Sequence, residues 1–290
     1  MDRFIALLLS GVAYGAILAL VALGFIVLYR ATGVVNFAHG DLVTLGTYIA
    51  IWSIDSLKLP TVVGYAFAIV AMFGVGVVIE RVAYAPLRAR PPLVVVIATL
   101  AAAVVIEGVL AVWQGSSPKL LSSPVGNRVW SIDGADIAVQ RVLIIGVAAV
   151  VIIGLMLVFA RTSIGRQLRA IATDPETAQL YGVRTRLMSV LAFGTSAALA
   201  TLAGILVAPL SAADLTFGFD LMVSAFAAAV LGGFGSFGGV ALGALAVGLI
   251  QQLLGGYVFT GYSETLPFVV MFIVIAVRPS GLVSTTASRL

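Results

Sequence analysis

The sequence predicts an all-α integral membrane protein, a polytopic helical bundle that includes broken or re-entrant helices. Hydrophobic residues form 61% of the chain and charged residues only 10%, whereas soluble domains carry about 25% charged residues. Several apolar runs reach the roughly 20 residues that a helix needs to cross a bilayer. These runs are continuously apolar rather than alternating with polar residues, which argues against a transmembrane β-barrel.

Apolar runs and arginine-rich connections set the predicted topology of a single transmembrane domain over 1–290. The connections 80–92 and 161–187 are both rich in arginine, and two spans separate them, so both lie on the cytoplasmic side. The loop 114–141 between those spans then faces outward, and the side of the N-terminus stays open. About eight membrane segments are predicted: 4–29, 34–52, 61–79, 93–113, 142–160, 188–210, 220–252 and 264–277.

Two of these segments carry polar or glycine-rich breaks. The run 220–252 would be about 50 Å long as one helix, and it is interrupted by "GGFGSFGG", which predicts two short helices that fold back. The segment 34–52 contains "VVNFAHGDLVTLG" and is either a full crossing or a similar broken element. The recurrence suggests two pseudo-repeated halves, about 1–150 and 151–290, and paired breaks of this kind mark the pathway of a transporter.

The residues of these breaks are the predicted translocation pathway or gate. Two interpretations stay open for their polar side chains, which either contact a substrate or cap the break and satisfy backbone groups. The set comprises Asn36, His39, Gly40, Asp41, Gly232, Gly233, Gly235, Gly238 and Gly239.

The sequence argues against catalysis within the chain. It has no P-loop motif, and one histidine without any cysteine does not form the common zinc clusters. The intramembrane carboxylates Asp41, Glu107, Asp220 and Glu264 have no partner at catalytic spacing. We therefore expect no cofactor and no metal. Basic residues cluster between apolar runs, as a topology signal does, so no nucleic-acid partner is expected, and membrane lipid surrounds the chain.

A short helix is predicted inside the cytoplasmic segment 161–187. Asp174 followed by Pro175 has the pattern of a helix N-cap, and Glu176 in the first turn favours the helix dipole. Gly182 supplies the left-handed stop, so the helix covers 175–181. Such a helix is too short to be stable alone, and it is either a connector packed on its own bundle or an element that docks into a partner.

Three sequence blocks resemble the LivH-type permeases, the membrane subunits of bacterial ABC importers for branched-chain amino acids. The segment "GRQLRAIATDPETAQLYGV" is similar to the cytoplasmic loop of that family, and "GVVNFAHGDLVTLGTYIA" is similar to its N-F-A-H-G signature. The third match is "LGGFGSFGGVALGALAVGLIQ", in the order that the family has. The resemblance implies a permease subunit that moves branched-chain or related small amino acids, amides or urea inward. The alternative is a stand-alone secondary transporter or channel for small polar solutes.

The resemblance also implies partners and a location. We expect a second permease subunit (LivM-like or a second copy), two ABC ATPase subunits that hydrolyse ATP, and an extracytoplasmic substrate-binding protein, all at the bacterial cytoplasmic (inner) membrane. By the same resemblance, coupling to the ATPase falls on Gly165, Arg166, Arg169, Asp174, Pro175, Glu176 and Gly182.

Overall fold

The computed structural model describes residues 2–126, 128–132, 135–234, 236–257, 268–269 and 271–272. Over these residues the chain is almost entirely helical, and six of its helices are long and apolar enough to cross a membrane. The predicted polytopic helical membrane protein is therefore confirmed. The predicted span 264–277 lies outside the described residues, apart from 268–269 and 271–272.

The helix bounds follow the predicted apolar runs closely. The π-helical turn Glu80–Tyr84 continues α3, and the loop 114–141 contains an antiparallel hairpin of β1 (Val129–Ile132) and β2 (Ala135–Ala138). The α-helices among the described residues are α1 (Asp2–Thr32), α2 (His39–Asp55), α3 (Thr61–Ile79), α4 (Pro92–Gln114), α5 (Val139–Arg161), α6 (Ser163–Thr173), α7 (Pro175–Leu180), α8 (Thr185–Val207), α9 (Phe217–Gly232) and α10 (Phe237–Tyr257).

Two helices next to the predicted breaks are short for a membrane crossing. Helix α2 has 17 residues and α9 has 16, and at 1.5 Å per residue they measure about 26 and 24 Å. A bilayer core is about 30 Å thick. The long run 220–252 is divided between α9 and α10, so the predicted interruption is confirmed. The prediction of two short helices is wrong for α10, which has 21 residues and is long enough to cross a membrane.

The chain divides into two compact units, and the first comprises 1–23, 125–153 and 220–290. In this unit the first half of α1 packs closely on α10, and a Cβ added at Gly15 would lie 2.8 Å from the Cα of Leu245. Arg3 donates a hydrogen bond of 2.6 Å to the Gly256 carbonyl and lies over the ring of Tyr257. Small residues thus bring these two helices together, as is typical of packing in membranes.

The second unit comprises 24–124 and 154–219, and α2, α3 and α8 form its centre. A Cβ added at Gly76 on α3 would overlap the carbonyl of Phe193 on α8, and one added at Gly194 would lie 2.7 Å from the ring of Phe73. Helix α4 leaves most of its apolar side chains exposed, as a lipid-facing helix does. The units interleave along the sequence, and the repeat of two halves stays a prediction.

Side chains of the second unit also hold the predicted outward segment 114–124. The hydroxyl of Tyr48 donates to the carbonyl of Ala213 at 3.1 Å, and that residue pairs with Lys119 through the backbone. The hydroxyl of Tyr65 donates to the carbonyl of Ser122 at 2.8 Å. Backbone and tyrosine hydrogen bonds therefore tie the connecting segments together at this end of the unit.

Candidate functional site

The break between α1 and α2 is a polar turn built around Asn36. Its side-chain oxygen accepts a hydrogen bond of 3.0 Å from the amide of Ala38, and the amide of His39 donates to the Asn36 carbonyl at 3.3 Å. The amide of Phe37 donates to the hydroxyl of Thr99 on α4 at 3.2 Å. Asn36 is 2% exposed, and its side-chain NH₂ has no hydrogen-bond partner among the described residues.

His39 is the first residue of α2 and lies fully buried inside the second unit. Its Nδ1 is 3.1 Å from the hydroxyl of Ser196 on α8, and its ring centroid is 4.4 Å from that of Phe25 on α1. A Cβ added at Gly24 would lie 2.8 Å from Cε1 of His39. The imidazole thus links three helices, which suits a structural or gating role.

Gly40 and Asp41 follow His39 on α2, and Gly40 lies against the start of α9. The carbonyl of Gly40 closely approaches Gly218, and the amide of Gly218 donates to the hydroxyl of Thr44 at 3.0 Å. Asp41 is half-buried, and its carboxylate interacts electrostatically with Glu107, an exposed residue of α4. A carboxylate in this position can attract a positively charged group.

The break between α9 and α10 lies in the first unit and is built from glycine. Gly233 has a φ of +84°, a conformation that residues with a Cβ rarely adopt. Ser236 then caps α10, because its hydroxyl accepts from the amide of Gly239 at 2.9 Å. A Cβ at Gly232 would overlap the Gly239 carbonyl, whereas one at Gly238 would meet nothing nearer than 3.9 Å. Gly235 lies outside the described residues.

The segment 161–187, which is predicted to be cytoplasmic, forms two helices, of which the sequence predicted only the second. Helix α6 is held on the end of α5, because Arg169 donates to the carbonyl of Phe159 at 2.5 Å and Gly165 packs against the same carbonyl. Gly165, Leu168 and Ile171 form its buried face. Arg166 is exposed, so its guanidinium is accessible from the surface.

Helix α7 begins at Pro175 as predicted and ends at Leu180, one residue before the predicted end. The Asp174 carboxylate accepts from the amides of Glu176 and Thr177 at 3.0 and 3.1 Å and also from the Thr177 hydroxyl. The Thr177 hydroxyl, its amide and that of Glu176 hold the pKa of Asp174 below its ordinary value. Gly182 has a φ of +82° and its amide donates to the Gln179 carbonyl at 2.9 Å. The predicted N-cap and left-handed stop are thus confirmed.

Comparison with known proteins decides the family. Residues 7–275 match the family described as the permease component of the branched-chain amino acid transport system. The chain belongs to this family. This confirms the resemblance to LivH-type permeases and favours the permease subunit over the stand-alone transporter.

Individual relatives match this permease over nearly its whole length. The high-affinity branched-chain amino acid transport system permease protein BraD of Pseudomonas aeruginosa is 32% identical, over 97% of this chain and 95% of BraD. The corresponding LivH of Escherichia coli K12 is 30% identical, over 96% of this chain and 95% of LivH. A chain of PsaBC from Streptococcus pneumoniae, solved in complex with Fab, matches this permease with a TM-score of 0.53 and 16% sequence identity. The match covers 97% of this permease and 93% of that chain, which shows a shared fold.

The structure places the predicted pathway residues of the permease in two groups. Asn36, His39, Gly40 and Asp41 belong to the second unit, and the glycines of 232–239 belong to the first. Their joint role in translocation stays a prediction. The predicted coupling residues, by contrast, lie together on α6, on α7 and at the two ends of α7, all within the second unit.

Sequence reasoning missed the partners of these residues. Ser196 on α8 and Gly24 on α1 lie against His39. The hydroxyl of Thr44 accepts a hydrogen bond from the amide of Gly218. The available signal was the placement of hydroxyl residues inside apolar spans, where they typically join neighbouring helices. Two large apolar residues, Leu180 and Tyr181, within a polar segment were a second unused signal, and both are exposed in the structure.

Proposed function

We propose that this permease is one of two membrane subunits of an ATP-driven importer in the bacterial cytoplasmic (inner) membrane. It carries branched-chain amino acids, or related small amino acids, amides or urea, inward. The names of BraD and LivH support the branched-chain class, because both belong to transport systems for those amino acids. Its partners are a second permease (LivM-like or a second copy), two ABC ATPase subunits and an extracytoplasmic substrate-binding protein. The chain itself does not hydrolyse ATP.

The observation that carries the coupling role is the exposed apolar end of α7. Leu180 is 87% exposed and Tyr181 is 86% exposed, and both stand on a helix that is capped at each end. Ala178 is buried and anchors the helix to its own unit. Large apolar side chains that project from a polar surface are typical of a protein interface. We infer that Leu180 and Tyr181 insert into the ATPase subunit.

Helix α8 supplies the route from α7 to the break. The amide of Val183 donates to the Ala178 carbonyl at 3.0 Å, so the link between the two helices is short and hydrogen-bonded. Along α8, Ser189 donates to the buried carboxylate of Glu80 at 2.7 Å, and Ser196 meets His39. A displacement of α7 is therefore passed through α8 to α3 and to the first residue of α2.

At the break between α1 and α2, the proposed transport chemistry uses hydrogen-bond donors for one end of the substrate and a carboxylate for the other. The N-terminus of α2 and the side-chain NH₂ of Asn36 are donors for a substrate carboxylate. Asp41, on which Glu107 acts electrostatically, offers negative charge to an ammonium group. The buried His39 acts as the gate that ties this end of α2 to α8. The glycine-rich segment 232–239 provides the matching backbone groups of the second break.

Leu180→Asp tests the coupling role. The permease is reconstituted in liposomes with the ATPases and binding protein of its transport system, and ATP-dependent leucine uptake is measured. Leu180 is proposed as a dominant residue of the interface, and changing such a residue costs about 2 kcal/mol or more, so we expect uptake to fall at least about tenfold. Membrane insertion and the thermal unfolding of the isolated permease stay unchanged, since Leu180 is exposed in it.

Leu57→Asp is the matched control for this experiment. Leu57 is 45% exposed in the turn after α2, on the predicted outward side, and the same substitution there leaves uptake near the wild-type rate. Normal uptake by the Leu180 variant would contradict the docking role. Leucine uptake by liposomes that contain the permease without any ATPase would contradict the proposed importer as a whole.

A further inference from the structure

A cavity of about 620 Å³ lies beside α7, entirely within the second unit. Its walls are the end of α1, the segment after the π-helical turn, the adjoining ends of α6 and α7, and the first turns of α8. Pockets that bind small molecules measure about 300–1,000 Å³. All these elements belong to the arginine-rich side, which the topology places in the cytoplasm. The cavity is therefore open to cytosolic solutes.

The charges around this cavity favour a ligand with a carboxylate. Arg30 and Arg88 both line it, and the guanidinium of Arg169 is close enough to act electrostatically on Arg30. Arginine recognises carboxylates through two parallel hydrogen bonds. Glu176 is the acidic residue among the lining side chains. Two cationic groups and one anionic group around the same cavity suit a zwitterion better than a simple anion or cation.

The residues of α7 that line the cavity are not the proposed docking residues. Pro175, Glu176 and Gln179 line the cavity, whereas Leu180 and Tyr181 do not and are almost fully exposed. A ligand in the cavity would touch α7 while its docking residues stay accessible to a partner. The helix would then be held against the end of α1 and the segment around Arg88.

We propose that this cavity binds a free α-amino acid from the cytosol, with its carboxylate on Arg30 and Arg88 and its ammonium group toward Glu176. The bound amino acid restrains α7 and slows the coupled ATPase, so that the transported product limits its own import. The regulatory part rests on the proposed function, in which α7 docks into the ATPase. The binding itself does not, and it can be measured on the permease alone.

The first experiment measures leucine binding to the full-length permease in lipid nanodiscs by calorimetry. We expect Arg88→Gln to weaken binding at least about tenfold, because it removes a charge-assisted pair, and Arg88→Lys to restore part of it. Arg90→Gln is the matched control, since Arg90 lies on the same exposed segment and does not line the cavity. Its leucine affinity stays at the wild-type value, and thermal unfolding verifies that each variant is folded.

Two leucine analogues test the zwitterion directly. Isoamylamine lacks the carboxylate and 4-methylpentanoate lacks the ammonium group, and each binds the wild type at least about tenfold more weakly than leucine. Equal binding of 4-methylpentanoate or of inorganic phosphate would identify a plain anion site and overturn the amino-acid assignment. Leucine binding that Arg88→Gln leaves unchanged would place the ligand elsewhere and overturn the site.

The second experiment adds the ATPases and varies leucine inside the liposomes. Internal leucine lowers the ATPase rate of the wild type, and Arg88→Gln shifts the half-inhibitory concentration upward at least about tenfold while the rate without leucine is unchanged. An ATPase rate that does not respond to internal leucine overturns the regulatory role even when leucine binds. Failure of the ATPases to assemble with the permease would instead count against the proposed function and leave the nanodisc result intact.

Discussion

The two helix breaks of this permease are stabilised in opposite ways. The break at 33–38 is held by side chains, because Asn36 caps the turn and His39 joins α2 to Ser196 and Phe25. The break at 233–236 depends on missing side chains, since Gly232 packs against the backbone of α10. A similar pattern of apolar residues and glycine therefore produces similar breaks by different physics. Removal of the His39 ring threatens the first break, and addition of a methyl group at Gly232 threatens the second.

His39→Ala is expected to have the largest effect on the first break. It removes a fully buried ring that packs on Phe25 and contacts Ser196, and truncating a buried ring to alanine costs about 3–5 kcal/mol in soluble cores. We expect a loss of about 2–4 kcal/mol here, since the ring is smaller than phenylalanine. Titration with SDS in bicelles measures the free energy of unfolding.

Ser196→Ala separates the hydrogen bond from the packing of the ring. Hydrogen bonds between membrane helices contribute about 0.6 kcal/mol on average and about 1.7 kcal/mol at most, so this variant loses much less stability than His39→Ala. In a double-mutant cycle, the coupling free energy between His39 and Ser196 equals the loss of stability in Ser196→Ala, about 0.6 to 1.7 kcal/mol. A His39→Ala permease with wild-type stability and wild-type uptake would rule out both the structural and the gating role of the histidine.

Gly232→Ala tests the second break by adding one methyl group. Its Cβ would lie 2.6 Å from the Cα of Val240, and the obstructing atoms are backbone, so α9 and α10 must move apart. Overpacking of this kind costs about 1–3 kcal/mol. The measurement is the midpoint of thermal unfolding in detergent, followed by intrinsic fluorescence.

Gly238→Ala is the matched control, because its added Cβ has no neighbour closer than 3.9 Å. We expect its unfolding midpoint to stay near that of the wild type. If both alanine variants are equally stable, close packing at Gly232 does not hold the break. The contrast between the two breaks would then be lost.

Much of the architecture was predictable from local sequence. Continuous apolar runs gave the spans, "GGFGSFGG" gave the interruption between α9 and α10, and the pair Asp174–Pro175 gave the start of α7. Each of these signals acts within a few residues of the feature that it produces.

Contacts between distant segments were not predictable in this way. The partner of His39 is 157 residues away on α8, and nothing beside the histidine identifies it. Helix α6 depends on the Phe159 carbonyl, which Arg169 and Gly165 meet only after α5 and α6 fold against each other. The cavity beside α7 likewise joins four separate parts of the chain. Tertiary packing decides these features, and a single sequence does not encode it in a readable pattern.

Asn36→Ala and Ser236→Ala compare the two capping side chains and have the smallest expected effects. Ser236 accepts one amide hydrogen bond at the start of α10, and its removal costs about 1 kcal/mol. Asn36 also accepts one amide hydrogen bond, but its buried NH₂ has no partner among the described residues. A buried donor without a partner costs about 1–3 kcal/mol, so Asn36→Ala removes a favourable and an unfavourable contribution together.

We therefore expect Asn36→Ala to change the free energy of unfolding by less than about 1 kcal/mol, in either direction. Leucine uptake separates the roles of the two caps. If the NH₂ of Asn36 receives the substrate carboxylate, Asn36→Ala lowers uptake while stability holds, and Ser236→Ala lowers stability while uptake per folded protein holds. An Asn36→Ala permease that loses stability and uptake in parallel would instead show that Asn36 only caps the break. The polar break would then resemble the glycine break in being a purely structural device, and the substrate carboxylate would have to be bound by backbone groups.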